Sequence, residues 1–421
     1  MKTSFITRSL AASLLSLACA QGCGSGERPA ASSVDGGAPV VVETPGISSA
    51  MGAVATLKGR VLAPDGKTPV AGALVALMRT APEAPKEGLR CETCVPLSKD
   101  TPHATSNADG TFELKTSTEG AFTFVVQKGT FRRARALDVV SGDQEVPALL
   151  ATLPSKTDLP KGDVIPKMAV VKGEWDPIER TLAKLGLGKL VKGEADPSSL
   201  PFDVYDDPSP TGPRSGARLL ADESLLAAYE IVLLPCSGSS GTTCDDKRAM
   251  DPLVQKALRG FVEGGGRLYV TDYSYEFVRQ LWPGAVSFRG ETKDVGSACE
   301  KVAYDATGAV NDEGLSGWLS AIGHSSVTLK ASWTTIDSVH EVDATDANGQ
   351  PAKIPTRVWM SANKSDGAHP ATVSFERGCG RVLFSTYHTA GEPLAPLMPQ
   401  EKALLYVLLE MGVCIDTSVP K

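Results

Sequence analysis

The sequence predicts a small all-β sandwich followed by an α/β domain built on a parallel sheet, in a 421-residue chain. Three observations carry this. Over residues 54–150, Asp-Gly turns separate short alternating strands and no convincing helix intervenes. Over residues 165–417, short apolar strands alternate with capped amphipathic helices, the pattern of a parallel sheet covered on both faces. Ahead of both stand an export leader (residues 1–23) and a Gly/Ser/Ala/Pro-rich tether (residues 24–53) with little to bury.

In the leader, Lys2 and Arg8 precede an apolar stretch, Leu10 to Ala20, too short to span a bilayer but long enough for a signal h-region. Cys19, after Leu17-Ala18, and Cys23, after Gln21-Gly22, resemble the lipidated cysteine of a bacterial lipoprotein signal. Ala18-Cys19-Ala20 also fits ordinary small-x-small cleavage. Both readings place the chain outside the cytoplasm. A lipid anchor at Cys19 or Cys23 would make a membrane its first partner, and an envelope glycan or protein a second. Net charge is −7, and no dense basic run exists. That argues against nucleic acid, which needs a concentrated positive surface.

In the first domain, Leu57, Gly59 and Val61 alternate with polar neighbours. Asp65-Gly66 turns the chain, and "LVALM" follows as a second strand. Asp109-Gly110 precedes Phe112 and Leu114, and "FTFVVQKG" and "RRARALDVV" supply two more strands. The pattern Gly59-x-Val61, Gly66-x-x-Pro69-Val70-x-Gly72-Ala73-x-Val75, then Asp109-Gly110-x-Phe112-x-Leu114, resembles the carboxypeptidase regulatory-like domain. That resemblance implies a transthyretin-like sandwich, usually a non-catalytic accessory. An insertion carries Cys91-x-x-Cys94. It sits in a Pro-rich loop rather than at a helix N-terminus, and only His103 lies near as a further ligand. A local disulfide is expected over a redox dithiol or half a zinc site.

After a linker (residues 151–164), "KMAVV" reads as a strand. Asp176-Pro177-x-Glu179 reads as a helix start with Asp176 as N-cap. "FDVYD" is a second strand, "LLADESLLAAYE" a helix, and "IVLLP" a third strand. "DPLVQKALRGFVEGGG" is a helix capped by Asp251 and stopped by glycines, "RLYVTDY" a fourth strand, and "SYEFVRQLW" opens another helix. "VTLKASW", "TRVWMSA" and the hairpin around Arg377-Gly378-Cys379-Gly380 are late strands, and "QEKALLYVLLEMGV" closes as a helix. Lys167 to Gly173, Tyr229 to Pro235, Phe261 to Leu268 and Gly380 to Phe384 resemble the class I glutamine amidotransferase-like fold, a flavodoxin-like α/β sheet.

That resemblance puts the family nucleophile just after "RLYVT", where this chain has Asp272 and Tyr273 instead of cysteine. His388 matches the family histidine. The acid two residues later is Ala390, with Glu392 beyond it. The domain is therefore expected to lean away from enzymatic activity. Parallel sheets bind ligands at the carboxyl ends of their strands. Glu174, Cys236, Asp272, Tyr273 and His388 are the residues expected to line such a cleft. Asp272, His388 and Cys236 are the catalytic candidates if chemistry remains. In an oxidising compartment the cysteines should pair. Cys236 with Cys244 is the expected staple at the rim, and Cys379 with Cys414 a further pairing. No His-x-x-x-His spacing or phosphate loop occurs, so no metal and no cofactor is expected. The functional expectation is an envelope lipoprotein with a non-catalytic binding or structural role. The alternative is a drifted hydrolase or transferase.

Overall fold

The computed structural model describes residues 52–91, 97–206, 209, 211–237, 244–345, 351–389, 392 and 394–411. The leader, the tether up to residue 51, Cys19, Cys23, Cys94, Ala390, Cys414 and the loop 238–243 lie outside the described residues. Among the described residues no helix is long and apolar enough to cross a membrane.

The chain forms a mixed α/β structure. In the first part, Ala55–Arg60 pairs antiparallel with Thr111–Thr116 and parallel with Gly142–Glu145. A second sheet runs in the order His103–Thr105, Leu74–Met78, Gly120–Lys128, Phe131–Val139, Asp163–Val164, every pairing antiparallel. Alternation turns one face of each sheet inward, so Leu57, Leu114, Val75, Leu77, Phe124 and Val126 share one buried cluster. Both Asp-Gly turns work as the sequence demands. The Asp65 and Asp109 carboxylates accept from backbone N–H groups two residues on, and Gly66 and Gly110 take φ of 68° and 79°. Residues 151–164, read as a linker, are anchored at both ends while residues 155–161 stay largely exposed. Leu153 is buried, and Asp163–Val164 extends the second sheet because Arg133 and Arg135 both grip the Asp163 carboxylate.

The second part is organised around one nine-stranded sheet. Its order is Asp203–Tyr205, Met168–Val171, Ile231–Leu234, Arg267–Thr271, Gly380–Ser385, Gly367–Arg377, Arg357–Lys364, Cys299–Val310, Val327–Thr334. The first five strands are mutually parallel; the last four are antiparallel. The parallel strands are buried throughout their middles, as their continuous apolar runs require. Helix Pro252–Glu263 begins as expected, with Asp251 accepting from Leu253 N at 2.8 Å, and ends at Gly264. The segment read as one helix over residues 219–230 is two short ones, Gly216–Ala221 and Glu223–Leu226, because Asp222 leaves the first to cap the second.

Three expectations are corrected. Asp176 does not cap the next helix, which runs Ile178–Lys184 from Pro177 without a side-chain cap. Its carboxylate turns inward to Thr271 and Thr389. Buried hydrogen bonds to a charged carboxylate are worth about 1.5–3 kcal/mol each, more than the roughly 1 kcal/mol of an exposed cap. Cys236 is not bonded to Cys244: it is a free, buried thiol, and Cys244 pairs with Cys299 across a Cα separation of 6.3 Å. The strand Ile231–Leu234 carries Cys236 inward, while Cys244 stands beside the start of the Cys299–Val310 strand. Cys91 pairs with Cys379, not with its near neighbour Cys94, and Cys379 is thereby unavailable to Cys414. The insertion docks on the glycine corner after the Pro252–Glu263 helix. A Cβ at Gly265 would stand 1.9 Å from Arg90 O, so only glycine lets the loop approach.

Candidate functional site

The strand Arg267–Thr271 ends at a sharp turn. Asp272 adopts φ of 40°, a left-handed conformation, and a single 3-10 turn over Asp272–Tyr275 leads into helix Glu276–Leu281. Aspartate tolerates this region at a cost of about 1–2 kcal/mol. The cost is offset by what its carboxylate receives. Trp333 N donates to both oxygens at 3.1 Å, and Thr334 Oγ1 donates to Oδ1 at 2.9 Å. His388 Nε2 stands 2.9 Å from Oδ2.

Cys236 leaves the neighbouring parallel strand and His388 follows the next one over, so three adjacent strand ends deliver three side chains to one point. The Cys236 sulfur, an Asp272 oxygen and a His388 nitrogen all lie within 4.8 Å of one another. Relative exposures are 0% for Cys236, 0% for Asp272 and 5% for His388. The expected cleft is therefore sealed at its centre. Tyr273 is half-buried beside it, its ring 5.5 Å from that of Trp333, while Glu174 is exposed at the margin.

The seal comes from the antiparallel half of the sheet. Val327–Thr334 is the edge strand, yet Trp333 and Thr334 reach back over the parallel strand ends to Asp272. A left-handed residue, Ala331 at φ 56°, and register shifts against Cys299–Val310 bend the strand to do so. Gln400 locks the closure: its side chain accepts from Lys330 N at 3.0 Å and donates to His388 O.

A second carboxylate braces the cluster from below. Asp176 accepts from Thr389 N at 3.0 Å and from Thr271 Oγ1 at 2.9 Å, and Thr271 Oγ1 accepts from Cys236 N at 2.7 Å. Sequence reasoning missed Asp176 as part of the site because Asp-Pro before an apolar run reads as a helix cap. Trp333 and Thr334 carry no signal at all, since their role depends on a long-range fold-back.

The electrostatics follow from burial. Burial pushes the Cys236 thiol well up, and Asp272 pushes it further, against a hydrogen bond from Tyr273 N–H. Burial likewise raises the Asp272 carboxyl despite its contacts with His388, Thr334 and Trp333. Burial opposes charge on His388, but the adjoining Asp272, with Asp176, outweighs it and raises the imidazole above its ordinary value. A protonated thiol and a fully engaged carboxylate are poor nucleophiles. The arrangement is suited to holding three strand ends together. Elsewhere, a groove of about 550 Å³ lies on the first part of the chain, lined by Lys58, Arg60, Asn107, Thr111, Glu113 and Glu145 among others.

No family model matches the chain, and no curated protein matches it. Solved structures to which it is similar include a ThuA-like protein from Bacteroides uniformis, at 12% identity over 57% of this chain and 89% of that one, TM-score 0.34. A ThuA-like protein from Parabacteroides merdae is 12% identical over 61% of this chain and 92% of its own, TM-score 0.33. A cytoplasmic protein from Salmonella typhimurium LT2 is 13% identical over 58% and 99%, TM-score 0.34.

Proposed function

We propose that the chain is an exported lipoprotein, held to a membrane of the cell envelope through Cys19 or Cys23, with a binding or structural role and no catalytic one. Residues 54–150 are read as a transthyretin-like accessory module and residues 165–417 as an amidotransferase-like domain that has lost its nucleophile. The observation that carries the non-catalytic reading is the closure over Asp272. At the elbow position the side chain is buried and both carboxylate oxygens are bound by protein donors. Substrate has no approach to it. Binding falls instead to the open face of the first module, where the groove between Lys58 and Glu145 mixes both charges and suits an envelope glycan or protein.

Two measurements test this. A fatty-acid probe fed to producing cells should label the protein, and a Cys19→Ala, Cys23→Ala double variant should lose the label and leave the membrane fraction. An unlabelled wild type sinks the anchor. Asp272→Asn should lower stability by at least about 2 kcal/mol, because a buried charged partner of His388 is lost.

A second reading, a drifted hydrolase or transferase, draws on the left-handed Asp272 and its 2.9 Å contact with His388. It wins if wild type turns over amide, ester or glycoside substrates and Asp272→Asn abolishes turnover without moving the unfolding midpoint.

A further inference from the structure

We propose that Cys236, Asp272 and His388 form a binding site for a divalent metal ion of the zinc class, held where three parallel strands end. Four observations converge. The donor atoms are one thiol sulfur, one carboxylate oxygen and one imidazole nitrogen, all within 4.8 Å of one another. This is the mixed S/N/O set that zinc accepts, and Zn–ligand distances of about 2.0–2.3 Å need donors gathered that closely.

The second observation is geometric. His388 Nε2 is buried and lies 2.9 Å from Asp272 Oδ2, yet no hydrogen bond of acceptable angle joins them. A close pair that is poorly aligned for a hydrogen bond leaves both atoms free to turn to a shared third point. A metal ion placed between the two would replace this poorly aligned contact with two directed bonds.

Third, the ligands are already oriented by outer contacts. Trp333 N and Thr334 Oγ1 fix the carboxylate, and Gln400 grips the His388 carbonyl. Thr271 Oγ1 holds the Cys236 amide. Such outer partners are what a metal site uses to preset its ligands. Fourth, the charges balance: one dication meets one thiolate, one carboxylate and a neutral imidazole. Coordination releases the Cys236 thiol proton and any proton on His388 Nε2 to solvent, with no change of oxidation state. Three protein donors leave the fourth position of a tetrahedral ion to a water molecule. This inference stands on the cluster alone and does not depend on membrane anchoring.

The test uses the purified full-length chain, stripped with chelator and titrated with Zn²⁺ or Co²⁺ alone. Metal analysis after desalting should find one tightly held ion per chain. Cobalt loading should give a thiolate-to-cobalt charge-transfer band with the intense visible bands of a four-coordinate site. Cys236→Ser should lose the charge-transfer band, and His388→Ala should weaken retention at least about tenfold. Should either variant fail to fold, X-ray absorption at the zinc edge of loaded wild type decides instead. One sulfur among nitrogen and oxygen neighbours is expected. A wild type that, after stripping and reloading, retains no ion through desalting overturns the proposal. So does a charge-transfer band that persists in Cys236→Ser, or a zinc shell with no sulfur or several.

Discussion

Glu179 is the clearest instance of a single residue placed at a cost. It sits in the Ile178–Lys184 helix, buried, with Oε2 unpartnered among the described residues. Burial raises its pKa, and the nearby Asp176 adds to the rise. A carboxyl whose pKa is higher folded than unfolded favours the fold when protonated. That stability is fully present below the unfolded pKa and is lost as pH rises through the folded one. Glu179→Gln should therefore stabilise the protein by about 1 kcal/mol near neutral pH. The gain should vanish as pH falls towards about 4, as followed by thermal or denaturant unfolding at each pH. Its neighbour Asp176 marks the limit of reading at this scale. The sequence Asp-Pro-x-Glu offers a cap, and only the donors waiting at Thr271 and Thr389, far away in the chain, draw the carboxylate inward. By contrast, Cys236, Asp272 and His388 were legible as residues at strand ends, because an apolar run followed by a turn fixes where a parallel strand stops.

At the scale of elements, the parallel strands and the Pro252–Glu263 helix were legible for the same reason: their signals are local. The Cys299–Val310 strand was not. Its burial is mixed along its length, so it has neither the continuous apolar run of a central strand nor clean alternation. The consequence reaches the site. Without that strand the fold-back of Val327–Thr334 has no support, and the sequence suggests an open cleft where the structure has a covered one. The disulfides show the same limit. Spacing favours Cys91 with Cys94 and Cys236 with Cys244, but loop docking and strand placement select partners 288 and 55 residues away.

For the whole molecule, the two parts do not behave as beads on a string: the described residues from Gly52 onward belong to one compact unit. Trp318 Nε1 donates to Pro69 O at 2.8 Å, and the Asp65 turn packs against Gly186. Lys128 of the first part forms a buried ion pair with Glu410 of the final helix. Removing one member leaves the other charged and dry, so Lys128→Met should cost about 3–5 kcal/mol. Replacing both, Lys128→Met with Glu410→Leu, should restore most of that loss, as measured by urea unfolding. Equal losses in single and double variants would instead assign the cost to packing.

The Cys91–Cys379 bridge also sets how the molecule meets mechanical tension. Force travelling from the N-terminal side towards the last helix passes along residues 54–91, crosses the bridge, and leaves at residue 379. The 288 residues of separation between the two cysteines are short-circuited. About 1,000 Å of chain is thus withheld from extension. Pulled at its ends, the protein can surrender its first strands, but the segment that carries Cys236 and Asp272 cannot be drawn out while the bridge stays oxidised.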